Sequence, residues 1–129
     1  MLNKRLFGIR GAVCAENTPE SVVRAVDTLC SRLFTQNALQ ADDIVSIHFT
    51  VTSDITALNP ATALRQSSVA GTARRTALFC STEPSIDGAL PRVIRVLLTA
   101  YLPETARPKH AYLGGAESLR PDIAGHDGA

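Results

Sequence analysis

Cys80-Ser81-Thr82-Glu83 sets a thiol and a carboxylate three residues apart, and Arg95 follows inside the apolar run Val93-Ile94-Arg95-Val96-Leu97-Leu98. If that run is extended, Arg95 shares a side with Val93, Leu97 and Thr99. A guanidinium buried there without an anion costs several kcal/mol. Two partners meet that need: Glu83, as a structural ion pair, or an anion bound from outside. Arg10 is a second candidate, set between Gly8 and Gly11 in Leu6-Phe7-Gly8-Ile9-Arg10-Gly11-Ala12-Val13-Cys14. The glycines leave room for close approach to the backbone, and an ordinary exposed strand arginine is the plain alternative. There is no glycine-rich phosphate loop, no nucleophile elbow and no Ser/His/Asp set. His48 has no second ligand at metal-binding spacing. The expectation is a site without metal or cofactor.

The elements that must hold these groups can be read from periodicity. Residues 6–14 alternate as a first strand, with Phe7, Ile9 and Val13 on one face and Arg10, Ala12 and Cys14 on the other. Thr18-Pro19-Glu20 starts a helix with a hydroxyl cap, a proline and an acid in the first turn. Val22, Val26, Leu29 and Leu33 give that helix its apolar stripe, and it ends at Gln36-Asn37. Ile44–Thr52 predicts a second strand, with Val45, Ile47, Phe49 and Val51 inward and His48 on the polar face. Pro60 opens a short helical turn that ends near Arg65. Residues 67–75 read as an exposed loop, with Arg74-Arg75 on a solvated face. Further strands are expected at 76–80, at about 93–101 and at 110–113, and the last residues, from Gly125, look frayed. The fold class is α+β: a mixed sheet of about five strands packed on one main helix, in a single domain covering 1–129. Such a small sheet leaves faces uncovered, which oligomerisation closes.

Bulk properties narrow the partners. The net charge of +1 over 129 residues, with 19% charged residues, gives no field for gripping nucleic acid. Three cysteines without CxxC spacing suggest free thiols in a reducing compartment. No signal peptide or membrane-length apolar run is evident, so a soluble, cytoplasmic protein is expected.

Four segments in order carry a resemblance: Gly8-Ile9-Arg10-Gly11-Ala12; Asn59-Pro60-Ala61-Thr62-Ala63-Leu64-Arg65; Cys80-x-x-Glu83 with Ile94-Arg95-Val96; and Tyr112-Leu113 with Leu119-Arg120-Pro121-Asp122. Together, from about Phe7 to Asp122, they resemble the small trimeric α/β class of monofunctional chorismate mutase. The resemblance implies an isomerase that rearranges chorismate to prephenate in the shikimate pathway of aromatic amino-acid biosynthesis. A pericyclic shift needs no nucleophile, proton relay or metal, in keeping with the absences above. It also implies a homotrimer, a pseudo-α/β-barrel with sheets inside and helices outside, whose pockets lie between subunits.

Carried over by position, Arg95 is the main catalytic group, reaching a carboxylate and the ether oxygen, and Glu83 takes the ring hydroxyl and orients Arg95. Cys80 lies beside that hydroxyl without acting as a nucleophile. Arg10 and Tyr112 bind a substrate carboxylate. Arg65 and Arg120 line the entrance, Asn59, Ala61 and Thr62 belong to the same wall, and Leu119 closes the site on a flexible tail from about 115. Two positions depart from the family: Asn59 stands where a bulky apolar residue is common, and Thr62 where a lysine is common. The alternatives are an enamine/imine deaminase of the related trimeric architecture and a non-catalytic carboxylate-binding trimer.

Overall fold

A computed structural model describes residues 3–124. The frayed end expected from Gly125 therefore lies outside the described residues. The chain runs β1 (Lys4–Cys14), α1 (Pro19–Gln36), β2 (Ile44–Val51), α2 (Pro60–Arg65), β3 (Ala77–Thr82), β4 (Val93–Pro103), β5 (Ala111–Leu113) and a one-turn α3 (Pro121–Ala124). Short 3₁₀ turns cover Ala41–Asp43 and Glu117–Leu119. The strands form one mixed sheet in the order β3-β2-β4-β1-β5. β4 runs antiparallel to both β1 and β2, while β5 lies parallel to β1 and β3 parallel to β2.

Both longer helices pack on one face of this sheet. Val22, Val26, Leu29 and Leu33 of α1 and Ala63 and Leu64 of α2 are buried against Ile9, Ile47, Phe49, Ile94, Val96 and Leu98. Gly11 permits the closest contact. A Cβ there would meet Leu29 Cδ1 and the Ala111 carbonyl at 3.0 Å and Leu33 Cδ1 at 3.1 Å. The room that Gly11 leaves is therefore taken by α1 and β5.

One expectation for β2 changes. A β-bulge between Ile44 and Ser46 shifts the register against β4. Ile44 turns inward and Val45 is exposed, although alternation alone puts Val45 in the core. Pro121 also opens α3, where only an extended Arg120 was anticipated.

Thr18 caps α1 as its sequence requires, its hydroxyl accepting the Ser21 N–H at 3.2 Å. The far end of α1 is less conventional. The Leu39 N–H donates to the Phe34 carbonyl at 2.9 Å and the Ala38 N–H to the Thr35 carbonyl at 3.2 Å, a Schellman closure. Its left-handed residue is Ala38, with φ +50°, where glycine is the unstrained choice. Ala38→Gly is expected to raise stability by about 0.5–1 kcal/mol, the relieved strain outweighing the added unfolded-state freedom. A thermal melt should show a midpoint higher by about 2–4 °C. A lower midpoint would mean that the closure carries no strain.

Candidate active site

The sheet face away from the helices carries two rows of side chains. Phe79, His48, Leu97 and Arg10 lie in register across β3, β2, β4 and β1. One step along the strands, Ser81, Thr50, Arg95, Ala12 and Tyr112 cross all five. Ala12 is fully buried in its row. Beside these rows lies a cavity of about 420 Å³, lined by Arg10, His48, Thr50, Arg95, Leu97, Tyr112 and Arg120.

Glu83 enters from just beyond β3. Its backbone N–H donates to the Val51 carbonyl at 2.8 Å, which sets the side chain beside Thr50. The Thr50 hydroxyl donates to Glu83 Oε2 at 2.6 Å, and Arg95 Nε lies 2.9 Å from the same oxygen. The Thr50 hydroxyl thus fixes one carboxylate oxygen, and the guanidinium meets that oxygen as an ion pair through Nε. Among the described residues the Nη donors make no side-chain hydrogen bond to a protein acceptor. Arg95 remains 42% exposed. An ion pair this open contributes about 0–1 kcal/mol to stability. Of the two partners anticipated for Arg95, Glu83 is in place, at the Nε edge.

Neighbouring groups hold the rest of the rim. The Arg10 N–H donates to His110 Nδ1 at 2.9 Å, which ties β1 to the start of β5. The Asn37 side chain accepts the Lys109 N–H at 2.8 Å and donates to the Lys109 carbonyl at 2.9 Å, fixing the same approach from the end of α1. Tyr112 is buried with Ala12, Val93 and Ala116, and Leu119 packs on that cluster. Gly114 and Gly115, at φ +61° and +102°, make the turn that lays the chain over Cys14. Arg120 reaches the cavity while its Nε and Nη2 are held by the Asp122 carboxylate at 3.1 and 2.8 Å. That carboxylate raises the Arg120 pKa further, so the group is a fixed cation. Among the described residues, no group of three or more His, Cys, Asp and Glu is arranged to hold a metal ion.

Cys80 is placed differently. It pairs in register with Phe49, whose side chain is core, and it packs on that core. The thiol therefore lies on the opposite side of the sheet from Arg95, and burial raises its pKa. Only its backbone is on the way to Glu83.

The α2 residues are also apart from Arg95 within one chain. Asn59 caps the helix, its Oδ1 accepting the Ala61 N–H at 2.8 Å, and Ala61 is buried in the core. Thr62 Oγ1 accepts from Arg65 Nη2 at 3.3 Å, tethering the arginine to its own helical turn. Arg65 lines a second cavity of about 480 Å³ with Arg74, Thr76 and Leu78. Of the sequence candidates, the fold thus groups Arg10, Arg95, Tyr112 and Arg120 around one cavity, with Glu83 bonded to Arg95 and Leu119 packed behind Tyr112. Arg65 stands at another, tethered to Thr62.

Two contributors escaped sequence reasoning. Thr50 is the hydroxyl that holds Glu83, and His48, whose Nε2 lies 2.8 Å from Ser81 Oγ, is part of the cavity wall. Their signal was the polar alternation of β2. It becomes a site only once β2 is known to lie beside β4.

Comparison with known proteins adds to this geometry. The family described as chorismate mutase type I matches residues 6–123. A chorismate mutase of Thermus thermophilus is 38% identical over 120 residues, 90% of this chain and 94% of the relative. A chorismate mutase of Bacillus subtilis is 30% identical over 122 residues, 91% of each. A solved chorismate mutase structure from Clostridium thermocellum superposes with a TM-score of 0.79 at 37% identity, covering 88% of this chain and 99% of the other.

Proposed function

The chain belongs to the type I chorismate mutase family, and from that membership we propose how its residues divide the work. The protein is a chorismate mutase, an isomerase of aromatic amino-acid biosynthesis that converts chorismate to prephenate within one molecule. The family assignment does not favour the deaminase or the non-catalytic trimer.

Chorismate carries two carboxylates, a ring hydroxyl and an ether oxygen. The rearrangement breaks the ether C–O bond as a C–C bond forms, so negative charge grows on that oxygen in the transition state. A donor fixed beforehand at that point lowers the barrier, and holding the folded conformer removes much of the entropic cost. Arg95 supplies the donor. Its Nη edge takes the ether oxygen and an adjacent carboxylate, while Glu83 and Thr50 prevent the guanidinium from swinging away. The remaining lone pairs of Glu83 accept the ring hydroxyl. Arg10 and Tyr112 bind the other carboxylate, Arg120 adds charge at the rim, and the segment from about 115 closes through Leu119. Cys80 contributes backbone position more than its thiol. The observation that carries this reading is the Arg95–Glu83 contact at 2.9 Å through Nε, with the Nη donors left over.

We further propose a homotrimer in the cytoplasm. The sheet face opposite the helices is uncovered in a single chain, and Phe79 is 66% exposed and Leu97 49% exposed on it. Such apolar surface is typical of a subunit interface. A second copy packed there brings its α2, with Arg65 and Thr62, to the cavity of the first, joining the two separated groups of candidates. The test is a spectroscopic assay on the purified protein. Chorismate absorbance should fall as prephenate forms in equal amount, without added metal or cofactor. Absence of prephenate in that assay sinks the proposal.

A further inference from the structure

Resting on the reading above, we propose that Arg74 is a second entrance residue, which with Arg65 receives a carboxylate of the incoming dianion. Sequence alone put Arg74 with Arg75 on a solvated face. The fold separates the two: Arg74 lines the 480 Å³ cavity beside Arg65, and Arg75 does not. Neither Arg65 nor Arg74 has a carboxylate partner among the described residues, and the one side-chain bond of Arg65 is to the neutral Thr62 hydroxyl. Two arginines line this one hollow; like charges brought close there repel, an anion between them offsets that, and a carboxylate matches the fork of a guanidinium.

The loop that carries Arg74 is anchored. Asp27 of α1 accepts the Ser68 N–H at 2.8 Å and the Ser68 hydroxyl at 2.7 Å. Overlapping turns follow, from Val69 to Thr72, Gly71 to Arg74 and Ala73 to Thr76. Ala73 is buried in the core directly before Arg74. The guanidinium is therefore carried by a backbone fixed on both sides, which reduces the ordering cost of using it. It is also on the same chain segment as Arg65, so both belong to the half of the site that a neighbouring copy contributes.

The experiment is steady-state kinetics on Arg74→Ala, Arg74→Lys and Arg75→Ala at low and at raised salt. Arg74→Ala should raise KM for chorismate roughly tenfold at low salt with kcat within about twofold, since a cation at the mouth acts on capture. Arg74→Lys should recover most of the loss, Arg75→Ala should leave KM unchanged, and raised salt should shrink the difference. An unchanged KM in Arg74→Ala, or an equal rise in Arg75→Ala, overturns the proposal. Circular dichroism and gel filtration on each variant separate a capture defect from misfolding. Failure of the underlying reading looks different: the wild type makes no prephenate, or Arg95→Ala keeps full activity. With the wild type active and Arg95→Ala disabled, a normal KM in Arg74→Ala counts against Arg74 alone.

Discussion

Arg95→Ala is expected to lower kcat by about a hundred- to a thousandfold, the usual cost of deleting one preorganised donor to a developing oxyanion, while the protein stays folded. The two halves of that expectation come from the same contact. The Arg95 side chain is 42% exposed and its ion pair with Glu83 is worth little to stability, so removing it should lower the unfolding free energy by no more than about 1 kcal/mol. Glu83 is not stranded, because Thr50 still donates to it. The loss therefore falls on catalysis. Arg95→Lys should not rescue the rate. A lysine keeps the charge but cannot bond Glu83 through one edge and substrate through another. Steady-state kinetics and a urea titration on the same preparations give the answer. Unfolding of Arg95→Ala with the loss of activity would identify the pair as structural. Full activity would remove Arg95 from the mechanism.

Arg95 also shows how far a sequence can be read. Its position in an apolar, strand-like run announced a group needing an anion, and Glu83 was a nameable partner. What the residue types did not reveal was that the ion pair is closest through Nε. That depends on the pairing of β2 with β4, which brings Thr50 beside Arg95, and strand neighbours are set by tertiary packing. α1 was legible because its cap, stripe and end are local signals. β2 was half legible: alternation found the strand, but one inserted residue at the bulge reverses the side of Val45. For Cys80 the resemblance implies a place beside the ring hydroxyl, whereas in β3 of the single chain it pairs with Phe49 and its thiol faces the helices. Asn59 and Ala61 belong to a wall by sequence, and their side chains cap and pack α2. Arg65 and Arg95 stand apart within one chain, as they would if the wall came from a second copy.

Co-expression of Arg65→Ala with Arg95→Ala should give more activity than either variant has alone. Each chain retains the arginine that the other lacks. If every site takes Arg95 from one copy and Arg65 from its neighbour, random assembly of equal amounts leaves roughly a quarter of sites with both. At substrate below KM, Arg65→Ala alone should retain on the order of a tenth of wild-type activity or less, and Arg95→Ala far less. The co-assembled mixture should then approach a quarter of the wild-type rate, several times the mean of the two separate preparations. Purifying the variants apart and mixing them without exchange supplies the control, which should give only that mean. The separation of the two cavities makes this outcome depend on assembly. A site built within one chain lacks one arginine or the other in every copy, so the mixture gives only the mean however the subunits are combined. Equal activity in the co-expressed and separately purified mixtures, with mixed trimers verified by differently tagged chains, would therefore refute the shared site. It would leave Arg65 and its 480 Å³ cavity without a role in a neighbouring copy's site.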